Sequence, residues 1–393
     1  MTRDYHAPLV LYNDELYFDA GYPPQDFKMW QEAFTSQKVA KKRTKIYVVP
    51  PPEYTARGLN LQWLLWPKTP NHWPPKSGNV VDYLAAFYHG LEVVQLPSDT
   101  FTFDVWKEGR SKTPKEGRSK TPKQSFVAIN TSTESIRVRK RAPPKERYPY
   151  VQLNLNDLLD VAISILPQDA LTLLMLVDHD LYEDDDDDFA CGRAYGGSHV
   201  CIVSTFRYGQ RQRQSEGETH VWPASHCAKY VEEEVSKYAT PPKAKKRRTA
   251  GKAVKGLQLS QSVPLQKAIK AHCRVSAIED DGNARWEAFQ SRWLSRVARC
   301  ASHELGHCLG IDHCMYYACI MQGSASVQED DRQPPYLCPV DEAKVVAMIK
   351  ERGDAVKGRS RAREEALLSF CRRHADGGGF AAYEAWLQSR LAR

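Results

Sequence analysis

Residues 303–321 read HELGHCLGIDHCMYYACIM, and the fold turns on how this stretch is read. On a helix, His303 and His307 lie one turn apart on the same face, close enough to grip a single metal ion. Glu304 stands beside them, placed to act on a water at that metal. Gly310 lets the chain leave the helix through a backbone conformation that other residues resist. The returning chain then delivers His313 as a third nitrogen ligand. Three protein ligands and an open fourth position are the requirement of a catalytic zinc.

Chance does not account for the pattern. The HExxH core alone should occur by accident in roughly two of a hundred chains of this composition; with Gly310 and His313 in place the figure falls to a few in a hundred thousand. Upstream, Trp286, Phe289, Trp293 and Val297 recur at three and four and continue through Cys300, Ala301 and Cys308. This apolar stripe predicts one long helix over 283–310, anchored in a core and carrying the histidines at its end. Cys300 and Cys308 belong to that stripe and are expected to pack rather than to bind metal.

The chain has 393 residues, enough for a sizeable core, and its 42% hydrophobic content and nine tryptophans fit a globular protein. The net charge of +7 is unevenly placed. Residues 107–123 and 137–147 each carry +5 and residues 243–255 carry +7, which leaves the remainder about ten charges negative. The cysteines lie between Cys191 and Cys371, not in a short secreted framework. No apolar run approaches the roughly 20 residues of a membrane helix, and acidic residues interrupt the start where a signal peptide needs an apolar segment. These features predict no membrane partner and a reducing compartment, cytoplasm or nucleus, where clustered cysteines are metal ligands or plain core.

Taken in order, residues 1–45 form an N-terminal segment with a predicted helix over 24–35, and residues 46–393 form the main domain. A strand is expected at 46–50, a helix from Val80 ended by Gly90, and a strand at 91–97. The octapeptide EGRSKTPK occurs twice, at 108–115 and 116–123, with nothing to bury. Low-complexity basic inserts are therefore predicted at about 107–147, where 137–147 reads as a solvated linker, and at about 240–260. A helix follows over 154–167, then LTLLMLVDHDL at 171–181, a strand apolar enough to be buried on both faces. The acidic run at 183–188 reads as a solvated turn, since it lacks the glycine-punctuated spacing of a calcium loop. A strand is expected at 199–209 and a helix at 222–239. The tract from Lys243 is compatible with nuclear import or loose nucleic-acid contact, but it has no interleaved aromatics for stacking on single strands. Beyond about residue 311 a helical C-terminal subdomain is expected, with helices over 341–352, 363–375 and 380–392.

A second constellation follows the first. Cys314 comes directly after His313, Cys319 five residues on and Cys338 nineteen further. Three such thiols suggest a closed structural zinc site, and Asp341, three residues after Cys338, is the candidate fourth ligand. Aspartate binds zinc through oxygen, though thiolate is the commoner structural donor.

His303, Glu304, His307, Gly310, His313, Cys314, Cys319, Met321 and Cys338 together closely resemble the archaemetzincin (archaelysin) family of metzincin-like zinc peptidases, whose pattern runs HExxHxxGxxHC, xxxxC, xM and a later CxxC. The segment MQGSASVQEDDRQPPYLCP also looks like the eukaryotic members. The departure is Asp341, where the family has cysteine. The resemblance implies an α+β fold in which a mixed twisted sheet lies above the active-site helix and a smaller helical subdomain lies below. It implies one catalytic Zn2+ and a second, structural one, with Met321 in the turn beneath the site. It also implies a peptide or protein substrate, an aminopeptidase mode, and HVCIVSTFR as the edge strand that receives an extended substrate. Tyr316 and Tyr317 are the candidates for stabilising an oxyanion. A reading from another class is a catalytically weak, zinc-stabilised binding protein whose basic inserts contact nucleic acid or acidic partners.

Overall fold

The computed structural model describes residues 4–11, 14, 24–36, 42–58, 73–107, 125–143, 151–209, 221–226, 263–276 and 284–393. Both EGRSKTPK repeats, the basic tract near 240–260 and residues 227–239 of the helix expected over 222–239 lie outside them.

Among the described residues the strands form two sheets. In the first, the spatial order is β10 (Gly192–Tyr195), β11 (Val200–Ser204), β8 (Ala170–Val177), β1 (Lys45–Val49) and β3 (Glu92–Gln95). Its ladders are parallel except for β10, which runs antiparallel to β11. In the second, the order is β2 (Glu53–Tyr54), β4 (Thr102–Val105), β5 (Ser125–Asn130), β6 (Ser135–Arg141), β7 (Gln152–Asn154) and β9 (Asp180–Tyr182).

The central strand explains the layering. Every residue of β8 is buried, as its unbroken apolar run predicts. Alternation sends Leu174 and Leu176 to one core, and Leu173, Met175 and Val177 to the other. The first core holds the helices α2 (Ser77–Phe87), α5 (Ala284–Cys308), α7 (Pro339–Arg352), α8 (Ser360–Arg373) and α9 (Gly378–Leu391). The second core holds α3 (Leu155–Ser164) and the inner face of the second sheet. Helix α3 begins as its sequence predicts, with the Asn154 side chain accepting from the Asp157 N–H. The remaining helices are α1 (Phe27–Ser36), α4 (Val263–Ser276) and the short α6 (Val327–Arg332). No described helix is long and apolar enough to cross a membrane.

This is the α+β arrangement expected, with a mixed sheet against the active helix and a helical C-terminal part. Two expectations need correction. Residues 137–147 are not all solvated linker: 135–141 form β6, paired antiparallel with β5 in a hairpin. Two of its three arginines are consumed by specific partners, Arg139 by Asp157 and Asn154, and Arg141 by Gln152 and the carbonyls of Asp184, Asp185 and Asp187. A basic strand passes for a linker when its charges are counted without their partners. The same contacts confirm the acidic run as a turn.

The second correction concerns the edge strand. The strand within HVCIVSTFR, β11, is interior, flanked by β8 on one side and β10 on the other. Among the described residues, the edge on this side of the sheet is β10, the GRAY of 192–195. The N-terminal segment is tied to the main domain by hydrogen bonds. Ala318 donates to His6 O, Gln322 to Leu9 O, and Trp30 Nε1 to Leu309 O.

Candidate metal centres

Helix α5 is fixed along its length before it delivers the histidines. Trp293, Leu294, Val297, Ala301 and Leu305 are buried in the core, and Trp293 Nε1 donates to Thr205 O at 2.7 Å. Arg296 is paired with Asp331, and Arg299 with Asp330 and Asp331, so the acidic α6 is docked along the helix. Ion pairs this buried return little net stability, but they fix orientation, because breaking either half strands a charge.

The helix ends in a double hydrogen bond. Gly310 has φ +76°, its N–H donates to His307 O at 2.9 Å, and the Ile311 N–H reaches back to Gly306 O at 3.0 Å. This left-handed closure redirects the chain so that His313 faces the helix it has just left. The His303, His307 and His313 rings lie 4.6–5.4 Å apart, and their ligating atoms cluster within 4.8 Å.

The chemistry of this donor set fits a metal. His303 Nδ1 lies 2.7 Å from Ile320 O, and His307 Nδ1 lies 2.7 Å from Ile311 O. A carbonyl only accepts, so each ring carries its proton on Nδ1 and turns an Nε2 lone pair inward. Those two Nε2 atoms are 3.0 Å apart. Two lone pairs at that distance repel unless a cation lies between them. Tetrahedral zinc with bonds of about 2.0–2.3 Å spaces its ligand atoms by roughly 3.3–3.8 Å, close to what is found. Burial lowers His303 to about 4, His307 to about 3 and His313 to about 4, with neighbouring histidines adding to each shift, so all three are neutral ligands at physiological pH.

Glu304 sits on the same turn, 9% exposed. Burial pushes its carboxyl up to about 8, against the opposing charge of Arg193. Arg193 belongs to β10, which passes close to the helix: a Cβ at Gly192 would lie 2.9 Å from Cys300 Sγ and 3.1 Å from Glu304 Cγ. Met321 is fully buried beneath the helix, where a Cβ at Gly306 would meet its sulfur at 2.5 Å. That is the place expected of it. Tyr317 packs edge-on against Tyr5, whereas Tyr316 is partly exposed.

Cys314, Cys319, Cys338 and Asp341 form the second cluster, all buried and with donor atoms within 4.8 Å of one another. Cys314 and Cys338 Sγ are 3.6 Å apart, and Asp341 Oδ2 lies 3.3 Å from Cys319 Sγ and 3.6 Å from Cys338 Sγ. The same spacing argument applies, and these residues also fit a zinc ion. Hydrogen bonds from Cys319 and Cys338 lower the Cys314 thiol, while Cys319 and Cys338 are themselves raised. The two clusters are joined by main chain, since Cys314 follows His313 and its N–H donates to Met321 O at 2.8 Å. Cys300 and Cys308 are buried outside both clusters, as the apolar stripe predicts.

Sequence reasoning missed the contributions of Gly192, Gln25 and Lys344. Two glycines after GRAY hinted at an irregular strand end near the site. Nothing local marked Gln25 or Lys344, whose mutual contact spans 319 positions.

Three histidines and a glutamate thus gather at the end of a buried helix, beneath a mixed sheet, in a donor set that fits a zinc ion with an acid beside it. Residues 283–345 match the model of peptidase family M54. Archaemetzincin-2 of Mus musculus is 27% identical over 214 residues, 54% of this chain and 45% of that protein. Archaemetzincin-2 of Homo sapiens is 47% identical over 47 residues, 12% of this chain and 13% of that one. Archaemetzincin of Aeropyrum pernix is 41% identical over 61 residues, 16% and 33% of the two chains. The matched parts thus span less than half the length of each of these relatives. Among solved structures, archaemetzincin from Archaeoglobus fulgidus aligns with 17% identity and a TM-score of 0.33, covering 76% of this chain and 99% of that one. On its metal-binding segment, residues 283–345, this chain is similar to the archaemetzincins.

Proposed function

We propose that the chain hydrolyses peptide bonds, with His303, His307 and His313 holding a catalytic Zn2+ and Glu304 acting as general base. The observation that carries this is the inward-facing Nε2 pair of His303 and His307, with both Nδ1 protons held by carbonyls and Glu304 on the same turn. When bound there, zinc supplies Lewis-acid polarisation of the scissile carbonyl and acidifies water. Glu304 takes the proton of the attacking water and passes it to the leaving amine. Its raised proton affinity suits a group that must both accept and return a proton near neutral pH. The substrate lies extended along the outer side of β10, which has no strand beyond it among the described residues. Backbone pairing there would hold the scissile bond over the end of the helix.

Cys314, Cys319, Cys338 and Asp341 are proposed to hold a second, structural zinc. Family resemblance supports an aminopeptidase mode, read by comparing peptides with free and acetylated N-termini. A reducing compartment, cytoplasmic or nuclear, is proposed from the spread of the cysteines between Cys191 and Cys371, unlike a short secreted framework.

The test is Glu304→Gln. It keeps zinc content at the wild-type level and lowers kcat by about 10²–10⁴-fold, the usual contribution of a positioned general base. Unchanged turnover in that variant removes the base. A zinc-loaded protein with no peptidase activity, but with nucleic-acid binding that weakens as salt rises, would favour the binding-protein reading instead.

A further inference from the structure

We propose that Gln25 and Lys344 form a polar bridge that positions both metal centres, tying the chain beside His313 to Asp341; the proposal rests on the reading that both clusters bind metal. Gln25 lies just before α1, which docks on the end of the active helix through Trp30 Nε1 and Leu309 O at 3.0 Å. The Gln25 amide clamps the exit from that helix. Its Nε2 donates to Gly310 O at 2.9 Å, and its Oε1 accepts from the Asp312 N–H at 3.2 Å. These contacts bracket the short turn that aims His313.

The other end of the bridge is Lys344, whose side chain is 2% exposed. Its ammonium has three protons to place, and three acceptors stand at 2.9 Å: Gln25 O, Gln25 Oε1 and Asp341 Oδ1. The ammonium is therefore satisfied where it lies, and moving it would strand a buried charge. Asp341 is divided accordingly. Oδ1 goes to Lys344, while Oδ2 faces Cys319 and Cys338. The lysine holds the carboxylate so that one oxygen is presented to the metal. Through Gln25 Oε1, shared by Lys344 and Asp312, the two metal loops have a common brace from a segment that the family match at 283–345 does not include.

The experiment compares full-length wild type, Gln25→Ala and Lys344→Met, with Gln290→Ala as control, since Gln290 donates its amide to Trp73 O on another part of the molecule. Zinc content, chelator competition and melting temperature are measured on zinc-loaded and chelator-stripped protein. Cobalt substitution reads the cysteine site separately, through its thiolate-to-metal absorption. Wild type binds two metals per chain. Gln25→Ala weakens metal at the histidine site ten- to a hundredfold, the usual effect of losing a residue that orients ligands, and narrows the melting gap between loaded and stripped protein. Lys344→Met weakens the cobalt–thiolate site by a similar factor, and Gln290→Ala changes neither site. If Gln25→Ala lowers both melting temperatures equally and leaves both affinities intact, Gln25 is merely structural and the bridge is wrong. A wild type binding fewer than two metals overturns the two-metal reading and the bridge with it.

Discussion

Asp341 shows how one side chain decides what a cluster binds. A thiolate in its place would offer zinc a soft donor and nothing else. The carboxylate has two oxygens and divides them between the thiols and Lys344. Burial, with Cys314 beside it, raises Asp341 to about 6, and Lys344 opposes the shift. The sequence identified all four donors and flagged the aspartate, because metal ligands are few residue types at fixed spacings. It did not contain Lys344 as a partner, since a lysine at the fourth position of the charged-looking helix DEAKVVAMIKER reads as solvated. Metal content read atom by atom tests the pair of sites. Wild type should carry two zincs per chain and His307→Ala one, with the cobalt–thiolate absorption retained. One zinc falling to none would place the only metal at the histidines and leave the Asp341 cluster empty.

At the level of elements, the helix was the most legible part of the chain. Its apolar stripe, its glycine stop and its ligand spacing are all short-range signals, and the observed span Ala284–Cys308 follows them. Strand β8 was legible for the same reason, as an apolar run needs burial on both faces. The edge strand was not. β10 is four residues long, half-exposed and glycine-bearing, while the adjacent β11 is apolar and so looked like the more convincing strand. Sequence reveals how hydrophobic a strand is, not which neighbour lies beyond it. Gly192 is what lets the edge approach Glu304, because any Cβ there would press on Cys300 Sγ and Glu304 Cγ. Gly192→Val is expected to fold but to lower kcat/KM at least tenfold, about 1.4 kcal/mol of transition-state stabilisation. Gly197→Val is the control, as nothing lies within 4 Å of its Cβ position. Equal activity in both variants would show that the close passage of β10 has no bearing on catalysis.

Across the whole molecule, the α+β layering could be anticipated, but the second sheet could not. Its strands are short, one is densely basic, and the parallel pairings at its two ends, β2 with β4 and β7 with β9, join strands that are not consecutive in the chain. That sheet buries a histidine with a measurable consequence. His179 is 2% exposed, with its Nε2 2.9 Å from Tyr54 Oη, and burial lowers it to about 3. The unfolded chain protonates this histidine near its ordinary value of about 6.5, whereas the folded protein holds it neutral until about pH 3. Between those values the unfolded state binds the extra proton, so stability falls as pH falls, and the loss is complete near the lower value. His226, also fully buried and lowered to about 3, acts in the same direction. Asp178 acts against them: burial raises it to about 6, so from there down to its ordinary 3.8 the folded state takes up the proton first. The histidine shift is the larger, on the order of 5 kcal/mol for one fully buried group at complete titration, against about 3 for the aspartate. Urea unfolding of wild type and His179→Gln at pH 7, 5.5 and 4.5 separates the contributions. Glutamine retains a polar partner for Tyr54 and does not titrate, so the variant should lose less stability than wild type between pH 7 and 4.5. Parallel losses across that range would mean that His179 is protonated in the folded protein, and that the second core admits the charge that its burial is argued to exclude.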